Sequence, residues 1–250
     1  MKVLVACENS GTVRDAFIRA GHDAWSCDLL PSEGKYVNRH IQDDIANVLR
    51  FTETALGVPA VGYTLPNGVI VWPDGWDLLI AHPDCTYLCS SGPHWNNRVQ
   101  GRNEQTEEAI QFVRNLMNAP IHRIAIENPV GRIGTAIRKS DQYIQPYQFG
   151  HDASKKTGLR LKGLPPLRPT KFIEPRWVCG CGYTFESGEY DTVGKYGCPN
   201  CMEEHQPKPR WANQTDSGQN RLGPSADRWK ERAKTYEGIA QAMADQWGRT

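Results

Sequence analysis

Short, uniformly apolar runs alternate along this chain with segments whose apolar residues recur every three or four positions. Residues 3–6 form a continuous apolar run, the pattern of a strand buried on both faces. Ser10-Gly11 breaks the run. Val13, Ala16, Phe17 and Ala20 then follow at helical spacing, and Gly21 ends that helix. Residues 24–27 predict a second strand closed by Asp28, so the opening reads β-loop-α-β, a right-handed crossover that starts a parallel sheet.

Asp43-Asp44 lead into a helix within 41–56. The stretch 57–76 is irregular apart from a hairpin of 63–65 with 69–71 around Pro66-Asn67-Gly68. Residues 77–81 (DLLIA) predict a strand that breaks at His82-Pro83. Ala109, Phe112, Val113 and Leu116 mark a helix. Residues 123–126 (RIAI) predict a strand ending at Glu127-Asn128-Pro129, and 159–161 give a weaker one. Trp229, Ala233, Tyr236, Ala240, Met243 and Trp247 predict one long closing helix. The expected class is α/β with a mostly parallel sheet. Such folds bind ligands at the carboxyl ends of their strands. The polar clusters fall there: Cys7-Glu8-Asn9, Asp28, residues 82–85, and Glu127-Asn128.

Composition narrows the function only a little. The hydrophobic fraction of 39% and charged fraction of 23% are ordinary for a soluble protein, and a net charge of +1 advertises no nucleic-acid partner. Any such surface must be local. One basic stretch exists: Lys155, Lys156, Arg160, Lys162, Arg168, Lys171 and Arg176 against Glu174 alone, readable as a phosphate grip or as a solvated face. No run reaches 18 apolar residues, and MKVLVACENSG is too short for a signal-peptide core. A cytoplasmic protein without a membrane partner is expected.

Eight cysteines in such a protein point to metal or catalysis and away from disulfides. Cys179-x-Cys181 and Cys198-x-x-Cys201, rich in glycine and separated by a β-like stretch, have the spacing of a zinc ribbon. Four thiolates close a tetrahedron, which makes the expected Zn2+ structural. The ribbon then contacts substrate or staples a loop that lacks a core.

A cysteine just past a buried strand on a proline-restricted turn, like Cys85, can face a cleft; free cysteines are also often small buried hydrophobes. Glu127 at a neighbouring strand end suits a general acid. These segments together resemble the DNA cytosine carbon-5 methyltransferases. IAHPDCTYLCSSG is similar to their Pro-Cys motif, with Asp84 directly before Cys85 where the family usually has proline, and IAIENPVG resembles their Glu-Asn-Val motif. VACENSGTVRDAFIRAGH takes the place of the glycine-rich cofactor motif. DAWSCDLLP and IQDDI offer acids for the cofactor's ribose and adenine sides, Asp28 and Asp44 or Asp43. YQFGHDASKKTGLRLKGLPPL resembles the segment with the family's Gln-x-Arg-x-Arg, and TYEGIAQAMADQW the closing helix.

The resemblance, strongest to compact bacteriophage variants, implies a Rossmann-like S-adenosylmethionine-dependent fold with a zinc-ribbon insertion. It places the catalytic domain at 1–175 and 221–250 and the insertion, a target-recognition region, at 176–220. It implies S-adenosylmethionine as cofactor and cytosine-containing DNA as substrate, in a bacterial host cell. It makes Cys85 the nucleophile, Glu127 its partner at ring nitrogen 3, Asn128 a loop anchor and Lys156 a contact to phosphate or base. Cofactor contacts would come from Cys7, Glu8, Asn9, Ser10, Gly11, Asp28, Leu29, Asp44, His82 and Pro83. Two other classes fit the same residues: a Cys85-dependent enzyme acting on a nucleotide or using another donor, and a non-catalytic zinc protein that binds nucleic acid.

Overall fold

The computed structural model describes residues 1–51, 56–57, 61–89, 99–186, 189, 197–202, 207–225 and 228–249. Its contacts divide the chain into two compact units. The first holds Met1–Ile144, Lys156–Arg168 and Ala233–Thr250; the second holds Gln145–Lys155 and Pro169–Arg232.

The first unit is built on a seven-stranded sheet. Its strands are β1 (Lys2–Ala6), β2 (Asp23–Asp28), β3 (His40–Gln42), β6 (Leu78–Ala81), β7 (Arg123–Pro129), β8 (Gln142–Ile144) and β9 (Thr157–Lys162), in the order β3-β2-β1-β6-β7-β9-β8. The first five are parallel and follow the doubly wound order, with the switch point between β1 and β6. β9 runs antiparallel to β7 and β8. A small hairpin, β4 (Tyr63–Thr64) with β5 (Ile70–Val71), pairs Tyr63 with Val71 where the sequence expects it.

Each face of the sheet is covered by helices. On one side Leu4, Ala6, Leu79, Ala81 and Ile126 pack with Val48 and Leu49 of α2 (Ile45–Leu49), Ile110, Val113 and Leu116 of α3 (Arg102–Met117), and Ile133 of α4 (Ile133–Ala136). α1 (Thr12–Arg19) also packs on β1 and β2 and against the closing helix. Full burial of a Val or Leu side chain stabilises by about 1.5–3 kcal/mol. Val3, Leu4, Val5, Leu78, Leu79 and Ile80 are all fully buried, so β1 and β6 anchor the sheet.

Three expectations change. The closing helix is two helices, α5 (Arg228–Ala233) and α6 (Glu237–Trp247). Tyr236 takes extended backbone at φ −73°, ψ 137°, and its carbonyl starts the second helix by accepting the N–H groups of Ile239 and Ala240. Glu237 in that first turn complements the new helix dipole. Within α6, Trp247 is fully buried and donates its Nε1–H to the Pro165 carbonyl at 2.9 Å.

The strand containing Glu127 does not stop before it. Antiparallel β9 pairs Glu127 with Leu159 and Pro129 with Thr157, which carries β7 three residues further. Finally, the basic stretch is not one face. Arg160 is 2% exposed and donates Nε–H to the Arg138 carbonyl at 3.0 Å, so it lies inside the protein and not on a phosphate-facing surface.

The second unit carries a three-stranded antiparallel sheet, β10 (Arg176–Val178) between β11 (Thr184–Phe185) and β12 (Lys208–Arg210). Asn213 ties its two chain segments together. Its side chain accepts from the Ser154 N–H and donates to the Ser154 carbonyl, both at 2.9 Å. No helix among the described residues is long and apolar enough to cross a membrane.

Candidate functional site

Five parallel strands bring their carboxyl ends to one edge of the sheet, and the expected residues gather there. The turn after β1 is shaped from below. Glu8 is 5% exposed, and its carboxylate accepts the N–H groups of Val13 (2.7 Å) and Arg14 (3.2 Å), closing the open N-terminus of α1. Burial pushes the Glu8 pKa up, opposed by His82 and by those two N–H groups. Gly11 holds φ +73°, and a β-carbon there would meet the Arg14 guanidinium and stand 3.1 Å from the Gly34 Cα. The 32–35 loop lies across this turn, with Glu33 N–H donating to the Asn9 carbonyl at 2.8 Å. Ser10 Oγ lies 3.1 Å from Thr12 Oγ1.

Beneath the turn runs a buried polar chain. Arg14 donates to Asp15 (2.7 Å), Ser26 (2.9 Å) and Ser32 (3.1 Å), and Ser26 Oγ meets His40 Nδ1 at 2.8 Å. His40 Nε2 donates to the Leu30 carbonyl at 2.9 Å, which fixes Nδ1 as the acceptor of the Ser26 hydroxyl. Burial lowers the His40 pKa, in keeping with a neutral ring.

Cys7 follows β1 in the left-handed region, φ 58°, a conformation that non-glycine residues seldom take. Burial, then the nearby carboxylates of Asp28, Asp44 and Asp84, push its thiol pKa far up. All three acids thus act on the end of β1. Asp28 is half-buried, accepts the Leu30 N–H at 2.9 Å, and has its pKa raised by burial. Leu29 beside it is 69% exposed. Asp44 is exposed and caps α2 through the Ala46 N–H at 2.9 Å. Asp43 accepts from the Asp44 N–H, the Asn47 amide and the Tyr63 hydroxyl.

The other half of the edge carries the thiol. After β6 the chain turns at His82-Pro83-Asp84-Cys85, and the Cys85 carbonyl accepts from the N–H groups of Leu88 (3.0 Å) and Cys89 (2.9 Å). Asp84 is exposed and its carboxylate takes the Thr86 N–H and hydroxyl at 2.9 and 2.8 Å, so it braces the turn. Cys85 itself is half-buried.

β7 clamps this turn from beside it. Asn128, 1% exposed, donates its amide to the Pro83 carbonyl at 2.8 Å. Arg132 N–H donates to the Leu88 carbonyl at 2.7 Å, and Gly131 forms a bridge with Cys89. A β-carbon on Gly131 would strike the Leu88 carbonyl oxygen and come within 2.8 Å of the Cys89 Cα. Glu127 Oε2 lies 3.0 Å from His82 Nδ1, with the two side chains 12% and 9% exposed.

Thus Cys85, Glu127, Asn128, His82 and Pro83 share one interlinked cluster. Cys7, Glu8, Ser10, Gly11, Asp28 and Asp44 share the neighbouring mouth, where Glu8 and Asp44 also act as helix caps. Lys156 is exposed just before β9 with its ammonium 4.6 Å from the Tyr143 ring centre, and no contact with the thiol cluster is seen among the described residues. Sequence reasoning missed Gly131. Its only signal was a glycine three residues after Asn128.

In the second unit the four expected cysteines meet. Their sulfurs all lie within 4.8 Å of one another, with Cys179 to Cys201 at 3.8 Å and Cys181 to Cys198 at 3.6 Å. Four sulfurs about 2.3 Å from a central tetrahedral ion would stand about 3.8 Å apart. The donor set fits zinc. Phe185 packs under the cluster with Trp177 and Tyr183, and Gly182 at φ +89° closes the first knuckle. The Tyr183 N–H and the Asn200 amide draw the Cys181 thiol pKa down, favouring the thiolate a metal needs.

Among solved structures, the chain is similar to the crystal structure of a candidate DNA modification methyltransferase encoded within an Escherichia coli prophage. Identity is 12% and the TM-score 0.39, over 69% of this chain and 52% of that one. The chain thus spans about half the length of that protein. No protein-family model and no curated protein matches it.

Proposed function

We propose that this chain is an S-adenosylmethionine-dependent methyltransferase that modifies carbon 5 of cytosine in DNA through a covalent adduct at Cys85. One observation carries the reading. A half-buried thiol in the turn after β6 and a largely buried carboxylate on the adjacent parallel strand β7 lie at the same edge of the sheet, and an asparagine next to that carboxylate locks the turn that bears the thiol.

Carbon 5 of cytosine is too weak a nucleophile to take a methyl group unaided. The Cys85 thiolate adds to carbon 6, the new C–S bond pushing electron density toward carbon 5, while Glu127 supplies a proton or hydrogen bond at ring nitrogen 3. After transfer, water takes the carbon-5 proton, and the electron pair so freed restores the ring double bond as the Cys85 thiolate leaves. The base must leave the duplex to reach such a cluster. Bound S-adenosylmethionine supplies the electrophilic methyl group.

The residues at the mouth fit that cofactor. Asp28 at the end of β2 stands where such folds bind ribose hydroxyls, exposed Leu29 offers an apolar contact, and the acids around Cys7 suit a cationic sulfonium. Asp44 takes the adenine side in preference to Asp43, whose oxygens already have three donors. Glu8 and Gly11 build the turn that Asn9 and Ser10 line. The cysteine cluster holds structural zinc, and the region around it, 176–220, contacts the target.

The test is transfer of labelled methyl from S-adenosylmethionine to cytosine-containing DNA by native protein and by Cys85→Ser. Label at carbon 5 with the native protein alone supports the reading. Cofactor binding with transfer only to a free nucleotide moves the substrate. Absence of cofactor binding rejects the methyltransferase.

A further inference from the structure

Two buried histidines serve the sheet edge in different ways. His40 has both ring nitrogens satisfied within the protein, by Ser26 and by the Leu30 carbonyl. His82 is equally enclosed, with a side chain 9% exposed, yet only Nδ1 is engaged, on Glu127 Oε2 at 3.0 Å. Its Nε2 is buried and has no partner among the described residues. A structural histidine ordinarily satisfies both nitrogens, because an unpaired buried polar atom costs about 1–3 kcal/mol.

The contact is also selective in what it constrains. A carboxylate has two oxygens, and a donor held on one of them restricts the rotation of the group. The backbone of Glu127 is already pinned by β9, and its neighbour Asn128 by the Pro83 carbonyl. His82 adds a hold on the Glu127 side chain itself, at Oε2. His82 itself follows β6 with its N–H on the Ala6 carbonyl at 3.0 Å, so its main chain is held as part of the sheet.

We propose that His82 is a positioning residue for the reaction at Cys85, and not a cofactor contact. Its Nδ1–H holds Glu127 Oε2 and so orients the carboxyl group that meets the ring nitrogen of the target base. The inference rests on the methyltransferase reading for its chemistry but not for the pairing itself, so the experiment has two arms.

In the first arm, ring nitrogen resonances of His82 are followed by NMR in native protein and in Glu127→Gln. A change in the Nδ1 signal, with other histidines unmoved, supports the pairing; an unaltered signal overturns it. In the second arm, methyl transfer to cytosine-containing DNA is measured for His82→Leu and His82→Asn. The asparagine amide can take the place of Nδ1–H.

His82→Leu should lose about 10- to 150-fold in kcat, the worth of a hydrogen bond to a charged group, with the KM for S-adenosylmethionine little changed. His82→Asn should recover most of that loss. A rise in KM for S-adenosylmethionine instead, or an asparagine variant as slow as the leucine one, overturns the proposal. A thermal melt of both variants separates misfolding from the effect. If native protein transfers no methyl group, the functional reading fails, and the resonance arm alone decides the pairing.

Discussion

Asn128 donates its side-chain amide to the Pro83 carbonyl at 2.8 Å, and so joins the strand that carries Glu127 to the turn that carries Cys85. The two residues are 45 positions apart, and Asn128 is 1% exposed. Asn128→Ala leaves that carbonyl without its donor, at about 1–3 kcal/mol of stability. The expected result is a lower denaturant midpoint together with slower adduct formation on DNA containing 5-fluorocytosine. A destabilised variant that forms adduct at the native rate would show that the clamp does not aim the thiol.

Gly131 makes the same point by contact. An added methyl group must displace the Leu88 carbonyl and the Cys89 backbone, which are part of the thiol-bearing turn. Gly131→Ala should cost about 1–3 kcal/mol as local overpacking. It should also slow methyl transfer about 100-fold, since misplacing a reacting group by about 1 Å has that effect. Cofactor binding, measured by calorimetry, should change little, because the clash falls on Leu88 and Cys89 and not on the turn after β1. Equal losses of binding and rate would contradict that separation.

The cysteine cluster predicts a metal content. Elemental analysis of purified protein should give one zinc per chain, and all four thiols should resist alkylation until a chelator is added. Cys198→Ser should lose the metal and unfold the ribbon, since binding free energies of about 10–16 kcal/mol accompany such sites. Cys85→Ser should retain it. Zinc that survives Cys198→Ser would place the ion elsewhere.

His40 gives a pH dependence with a definite sign. Its folded pKa lies below the ordinary 6.5 because the neutral ring is buried in hydrogen bonds. The unfolded chain therefore binds more protons between those two values, so this contribution is complete above pH 6.5 and is lost as pH falls below it. Glu8 and Asp28, whose folded pKa values are raised, act in the opposite sense. Comparison with His40→Asn isolates the histidine: denaturation midpoints of the variant should fall less steeply below pH 6.5. Parallel curves would remove His40 from the acid response.

Much of the frame was legible because it is local. The apolar run at 3–6, the helical spacing from Val13 to Phe17, and the Pro-Asn-Gly hairpin each specify their element without help from elsewhere. What was hidden depends on partners distant in sequence. Residues 142–144 and 40–42 are too short and too mixed in polarity to announce strands, and they exist because β9 and β2 offer open edges. Glu127 reads as a strand end until β9 is seen to pair beyond it. Arg160 looks like a surface cation, yet the register that pairs it with Ile126 turns it into the interior. Of the site, residue types at strand ends were readable; that Glu8 and Asp44 cap helices and that Glu127 pairs with His82 was not.

The buried chain from Asp15 through Arg14 and Ser26 to His40 ties the β1 turn, β2, β3 and the 32–35 loop into one piece. The thiol turn depends instead on Asn128, Gly131 and Arg132, none of which belongs to that chain. The two halves of the edge thus rest on different side-chain contacts and meet in the sheet, where the His82 N–H reaches the Ala6 carbonyl. A substitution in the thiol turn therefore leaves the hydrogen bonds beneath the β1 turn in place, and the two sides can be altered one at a time.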